Sequence, residues 1–177
     1  MKKKVLLLHG WSGSDNPHWQ AWLAGELAKE YGYVNFLHFS DVDEPKLDVW
    51  MSELNAALVS FKPDVVVCHS LANTLWFHYC HTNPTLLVEK LYLVAPPSLH
   101  CKVEELQEFF PLATPQKLYA KSAMLISSTD DPYMSQEEVS SLQLQLNIPM
   151  KTLQNAGHIN AESGYGKWDW ILQELNS

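Results

Sequence analysis

The sequence predicts an α/β fold, a three-layer α/β/α sandwich around a mostly parallel six-stranded sheet, with residues 1–177 forming a single domain. Two observations carry this expectation. Short, almost continuously apolar runs alternate with longer segments of helical period, and turn residues mark the joints. Strands without a polar face belong to a sheet covered on both sides, which in a β-α-β-α chain means parallel strands joined by right-handed crossovers. Composition agrees: 46% hydrophobic and 18% charged residues is ordinary for a globular chain. A chain of this length buries about 70% of the surface that it exposes when unfolded.

Taken in order, Lys4 to Leu8 reads as the first strand, and "HWQAWLAGELAKEYG" as a helix with Trp19, Leu23, Leu27 and Ala28 inward, ended by Gly32. Val34 to Phe39 is the second strand, "LDVWMSELNAALVSF" the next helix, "DVVVCH" the third strand and "LANTLWFHYCHT" the helix after it, stopped near Pro84. "EKLYLVAP" is the fourth strand. A weakly patterned stretch follows, in which "VEELQEFF" reads as helical. The piece from Pro96 to Pro115 is the one candidate for a small insertion or lid. "SAMLISS" is the fifth strand, "SQEEVSSLQLQLN" a helix, "PMKTLQNA" the last strand and "GKWDWILQEL" the closing helix. No internal repeat, low-complexity tract or Gly/Ser linker divides the chain.

Charge narrows the function. The formal net charge is −8, with 20 acidic residues against 12 basic ones, all of them Lys. Nucleic acid is therefore not an expected partner, because neutralising phosphates needs a basic surface. Without Arg the chain also lacks the planar fork that grips phosphates and carboxylates in pairs, which disfavours highly anionic substrates. Three Cys without a C-x-x-C suggest neither a disulfide framework nor a thiolate zinc site, and the reducing cytoplasm fits best. The apolar run after "MKKK" is too short for a signal-peptide core or a membrane span, so no membrane association is expected.

The chemistry-bearing feature is "VVVCHSLANTL", where a strand runs into a helix with Ser70 at the joint. Taken alone, such a serine is an N-cap. A nucleophile elbow reads G-x-S-x-G, because strand and helix backbones approach closely there, and the two glycine positions are Cys68 and Ala72. Both are small enough to relax that demand without violating it. A nucleophilic serine also needs a base, an acid and an oxyanion hole, each of which can stand at the end of a different strand. After the fifth strand comes "STDDPYM" with Asp130 and Asp131, and after the sixth comes "NAGHIN" with His158. The Ser-Asp-His order is that of the nucleophile-elbow hydrolases. Two carboxylates compete for one role. Asp131 precedes Pro132, which biases it toward an extended backbone, whereas Asp130 caps the turn, so Asp131 is favoured.

The oxyanion donors expected are the backbone N–H groups of Leu71, after the nucleophile, and Trp11, in the Gly-rich loop "HGWSGSDNPHW" after the first strand, where Gly10 and Gly13 let the backbone turn in toward Ser70. That loop is not G-x-G-x-x-G and has no Walker-type lysine, which argues against nucleotide binding. His9, His18, Trp19 and Trp76 are candidate pocket residues near the mouth, while Trp22, Trp50, Trp168 and Trp170 read as packing.

Together, "LHGWSGSDNPHWQAW", "VVCHSLA", "ISSTDDPYM" and "NAGHIN" resemble the small serine hydrolases of the retinoblastoma-binding-protein-9 and YdeN-like type, a compact branch of the α/β-hydrolase fold. The resemblance runs over nearly the whole chain. It implies a hydrolase of esters or amides with a lid much smaller than that of lipases; a small-molecule acyl substrate is expected, with no cofactor and no metal. It also implies Ser70, Asp131 and His158 as nucleophile, acid and base. The family pattern usually has Gly where this chain has Cys68, which bears on the elbow's geometry. A non-catalytic protein-binding module on a hydrolase scaffold is the alternative, and a protein partner is left open. A metal site at His78 and His81, three apart on a helix, lacks accompanying ligands. Cys68 and His69, adjacent on a strand, point to opposite faces and cannot cooperate.

Overall fold

The computed structural model describes residues 3–29 and 32–176. Six strands form one sheet: β1 (Lys4–Leu8), β2 (Tyr33–Leu37), β3 (Val65–His69), β4 (Val88–Val94), β5 (Ala120–Ser128) and β6 (Met150–Leu153). Their order is β2-β1-β3-β4-β5-β6 and every pairing is parallel, so the sheet is parallel throughout. Among the described residues five α-helices cover it: α1 (Trp19–Lys29), α2 (Leu47–Phe61), α3 (Leu71–His81), α4 (Gln136–Leu146) and α5 (Asp169–Asn176). Among the described residues, no helix is long and apolar enough to cross a membrane, and Cys68, Cys80 and Cys101 are free thiols.

Strand alternation builds the two covering layers. Leu6, Leu8, Val66, Cys68, Leu91, Leu93 and Leu125 point to one face, where Trp50 and Leu54 of α2, Leu75 of α3 and Leu142 of α4 meet them. Val5, Leu7, Val65, Val67, Tyr92, Val94 and Ile126 point to the other, against Trp19 and Leu23 of α1 and Ile171 and Leu175 of α5. Central strands buried on both faces explain why their sequences are apolar runs without a polar period. At about 25 cal/mol per Å² of apolar surface removed from water, these two cores supply the dominant favourable term for folding.

Several expected boundaries move for local reasons. β2 stops at Leu37, level with the end of β1, because the Phe39 N–H donates to His9 Nε2 and the Phe39 ring stacks on Trp50. β6 ends at Leu153, paired with Ser128, before Asn155 turns with φ 50°. α5 begins at Asp169 rather than Gly166. The stretch Glu104–Phe109 is a 3₁₀ helix that buries Leu106 and Phe109 over α3 rather than forming a full α-helical crossover. α4 opens on a capping box, the Ser135 hydroxyl accepting from the Glu138 N–H while Glu138 accepts from the Ser135 N–H.

The strand order reverses between β1 and β3. After β1 the chain moves outward to β2, then returns to place β3 on β1's other side. Crevices at the carboxyl ends of strands form at such a reversal, so the loops after β1 and β3 face each other there.

Candidate active site

Ser70 stands alone between the last residue of β3 and the first of α3. Its backbone lies at φ 53°, ψ −124°, and its side chain makes no capping hydrogen bond. The N-cap reading therefore fails here: the hydroxyl is free of the helix and turned outward. A non-glycine residue in this region costs on the order of 1–3 kcal/mol. The neighbours hold it there, since Ser70 N–H donates to the Val94 carbonyl at 3.0 Å and the Ser70 carbonyl accepts from Asn73 N–H at 3.0 Å and Asn73 Nδ2 at 2.8 Å. Asn73 Nδ2 also donates to Val94 at 2.8 Å, tying the elbow to the end of β4. Cys68 and Ala72, both fully buried, fit the joint without glycine. Burial pushes the Cys68 thiol well above its ordinary pKa, so it stays protonated and is no rival nucleophile.

The Ser70 hydroxyl lies 2.8 Å from His158 Nε2, and His158 Nδ1 lies 3.0 Å from each carboxylate oxygen of Asp131. A carboxylate only accepts, so the proton sits on Nδ1 and Nε2 faces the serine as an acceptor. The Asp131 carboxylate takes a further bond from Tyr133 N–H at 2.9 Å, and the Tyr133 ring packs edge-on against the His158 imidazole at 4.5 Å. The two side chains of the His158–Asp131 pair are 9% and 5% exposed, which keeps water from competing for it. Asp130 is used differently. Its carboxylate accepts from Ser128 Oγ at 2.7 Å and from Gly157 N–H at 2.8 Å, and these bonds hold it below the usual carboxylate pKa.

The first loop contributes its backbone. A Cβ placed on Gly10 would fall 2.7 Å from Ser70 Cβ and 3.1 Å from both Ser70 Oγ and the Leu71 nitrogen, so only glycine lets the loop approach the elbow this closely. The Gly10 carbonyl accepts from His9 Nδ1 at 2.8 Å and from Gly13 N–H at 3.2 Å. In a planar trans peptide that direction fixes the Trp11 N–H on the opposite side, away from the His9 ring. The Leu71 N–H opens α3 and so has no intrahelical acceptor.

A cavity of about 240 Å³ opens on this cluster. Trp11, Leu71, Pro97, Cys101, Val103 and Leu106 supply most of its apolar wall, and Ser12, Asn160 and Glu162 its polar part. Pro97 to Leu106 come from the segment between β4 and β5 that was expected to be an insertion or lid. The four candidate pocket residues do not line it. His9 is occupied at both nitrogens by Gly10 and Phe39, and Trp19 is fully buried with Nε1 donating to the Ile159 carbonyl at 2.8 Å. Trp76 packs in the core with Nε1 on the Leu118 carbonyl, and His18 lies buried against His69. Trp19 and Trp76 follow helix faces that turn toward the core, while His9 and His18, in the loop between β1 and α1, are drawn into buried contacts. His78 and His81 bond separately to the Phe109 and Ala113 carbonyls, and no group of three potential ligands for a metal occurs among the described residues. Sequence reasoning missed Tyr133, Asn160 and Glu162; two of these neighbour motif residues, Tyr133 following Asp131-Pro132 and Asn160 closing "NAGHIN".

Comparison with known proteins places these observations. A family model described as serine hydrolase matches residues 5–177. The YdeN protein of Bacillus subtilis (strain 168) is 24% identical over 186 residues, covering 100% of this chain and 96% of that one. Its crystal structure superposes with a TM-score of 0.85 at 21% identity, over 99% of this chain and 97% of that one. A YdeN-like protein of Pectobacterium atrosepticum gives 0.78 at 21% identity, covering 98% and 89%. A monoacylglycerol lipase of Paleococcus ferrophilus gives 0.68 at 12% identity, covering 99% and 96%. The shared architecture is the α/β-hydrolase fold.

Proposed function

Because the chain belongs to the serine hydrolase family, as a YdeN-like hydrolase of the α/β-hydrolase superfamily, we propose that it cleaves small carboxylic esters through an acyl-enzyme on Ser70. The observation that carries this reading is the line from Ser70 Oγ to His158 Nε2 at 2.8 Å and from Nδ1 to Asp131 at 3.0 Å. His158 takes the hydroxyl proton as Ser70 Oγ bonds to the acyl carbon. Asp131 keeps the imidazole in the Nδ1–H tautomer and stabilises the imidazolium that forms. The N–H groups of Trp11 and Leu71 receive the negative charge on the carbonyl oxygen. His158 then passes the proton to the departing alcohol, leaving the acyl group on Ser70. A water loses its proton to His158, attacks the ester carbon and frees the acid, and the proton returns to Ser70 Oγ.

The apolar cavity wall supports an uncharged acyl group of modest size as the substrate's buried part. A fluorophosphonate probe labels the wild-type protein and leaves Ser70→Ala unlabelled, and hydrolysis of short p-nitrophenyl esters falls by about 10⁴ to 10⁶ in that variant. Equal labelling of both proteins overturns the assignment.

A further inference from the structure

The residue that precedes the nucleophile is a buried histidine for which the hydrolytic steps have no use. His69 is 3% exposed and ends β3, turned to the face opposite Cys68. Its Nε2 lies 3.0 Å from the backbone carbonyl of His158. A carbonyl can only accept, so His69 donates from Nε2 and its Nδ1 is unprotonated. The ring is packed against His18 at 4.8 Å, Trp19 at 5.8 Å and His158 itself at 5.2 Å, an enclosure that leaves the imidazole little room to rotate. Burial drives its pKa well below the ordinary histidine value, which keeps it a neutral donor.

His158 is thus gripped twice by one dipeptide. Ser70 meets its side chain at Nε2, and His69 meets its main chain at the carbonyl. We infer that His69 is a positioning residue for the base, its Nε2–H setting the main chain of His158 so that the imidazole spans Ser70 and Asp131. The inference rests on the hydrolase reading of Ser70 and His158. Since His69 is bonded in sequence to Ser70, any shift of the elbow carries this donor with it, and nucleophile and base move as a unit. Without that bond, His158 is anchored by its neighbours only, and an ångström of drift at a reacting group costs about 10²-fold in rate.

The test compares His69→Met, which keeps the volume and loses the donor, with His69→Gln, whose Nε2 reaches the same place. His69→Met lowers kcat by about 10- to 100-fold with KM little changed, slows fluorophosphonate labelling in step, and shifts or broadens the downfield proton resonance of the His158–Asp131 bond. His69→Gln restores most of the rate and the resonance. Loss to the same degree in both folded variants, or wild-type kcat in His69→Met, overturns the role. A measurement on the wild-type protein needs no variant to fold: ¹H–¹⁵N correlation at pH 7 finds His69 protonated at Nε2 only, and the other tautomer or an imidazolium overturns it. If wild type itself resists the fluorophosphonate, the hydrolase reading has failed, whereas the tautomer still decides whether the bond exists.

Discussion

The elbow at Ser70 and the loop that carries His158 meet in one hydrogen bond, yet they are held by different means. The elbow is fixed close to home: main-chain groups of Ser70 pair with Val94 on the adjacent strand and with Asn73 one turn along the helix. The base loop is held by side chains from distant segments. Asn155 N–H donates to Thr129 Oγ1, Ala156 N–H to Ser128 Oγ, and Gly157 N–H to Asp130, while the His158 carbonyl accepts from His69 and the Ile159 carbonyl from Trp19. Five consecutive residues each have a partner elsewhere in the chain. The proposed nucleophile, held by sheet backbone, depends on sterics at the joint, whereas the proposed base, held by side chains, depends on their chemistry and charge state.

The largest contrast is expected from Gly10→Ala. The added Cβ has to push on Ser70 Cβ and the Leu71 nitrogen, which are parts of a rigid joint rather than the far end of a flexible chain. Relief means moving the first loop away, and with it the Trp11 N–H, the proposed oxyanion donor. Losing one oxyanion donor costs about 10²- to 10³-fold in kcat, and that is the drop expected in ester hydrolysis for a variant that still folds. Wild-type turnover in Gly10→Ala would show that the elbow tolerates what its backbone geometry forbids.

That contrast also explains what could be read from the sequence. The succession of strands and helices, the parallel sheet they form and the Ser70 joint were legible because each rests on local pattern: period, turn residues and one serine between a strand and a helix; the order of strands within the sheet, a long-range property, was not. Gly10, too, reads from the sequence as a residue that lets the first loop turn in toward Ser70, but the closeness of that approach does not. The elbow motif asks for glycine at Cys68 and Ala72, whereas the close approach in this chain falls on Gly10, a demand created by a segment far away in sequence. Pro132 favours Asp131 over Asp130 in the sequence, and the structure gives both carboxylates work, one on His158 and one on Gly157. The wall of the cavity was the least legible part, because Pro97, Cys101, Val103 and Leu106 lie in a segment without a clear period whose packing depends on α3.

Next in size is a pH effect on the side-chain side of the comparison. Burial, with His158 and His9 nearby, lowers the His18 pKa from 6.5 to about 4, and His69 beside it moves in the same direction. Between these values the unfolded chain binds a proton at His18 that the folded chain refuses. Stability is therefore full above about pH 6.5 and falls as the pH drops toward 4. At about 1.4 kcal/mol per unit, His18 alone is worth about 3 kcal/mol across that window. Denaturant unfolding of wild type and His18→Gln at pH 7 and pH 4.5 checks this, with the variant losing less than wild type on acidification. Parallel losses in the two proteins would mean that other groups, His69 or the carboxylates, and not His18, govern acid sensitivity.

The smallest effect expected is also the most discriminating, because it separates two adjacent carboxylates. Asp130→Ala removes the acceptor for Gly157 N–H and leaves Ser128 Oγ still accepting from Ala156 N–H. Gly157 itself is fixed, since φ 53° and the nearness of the Ser163 side chain admit only glycine there. With one of five anchors gone, the loop loosens without being released. The loss in kcat then stays within about tenfold, the scale of one or two hydrogen bonds, and Tm falls by a few degrees. Asp131→Ala, which strips the imidazole of its carboxylate partner, is expected to lose far more activity at a similar Tm. Matching activity losses in the two variants would show that the base loop answers to total charge near His158 rather than to which atom each carboxylate holds.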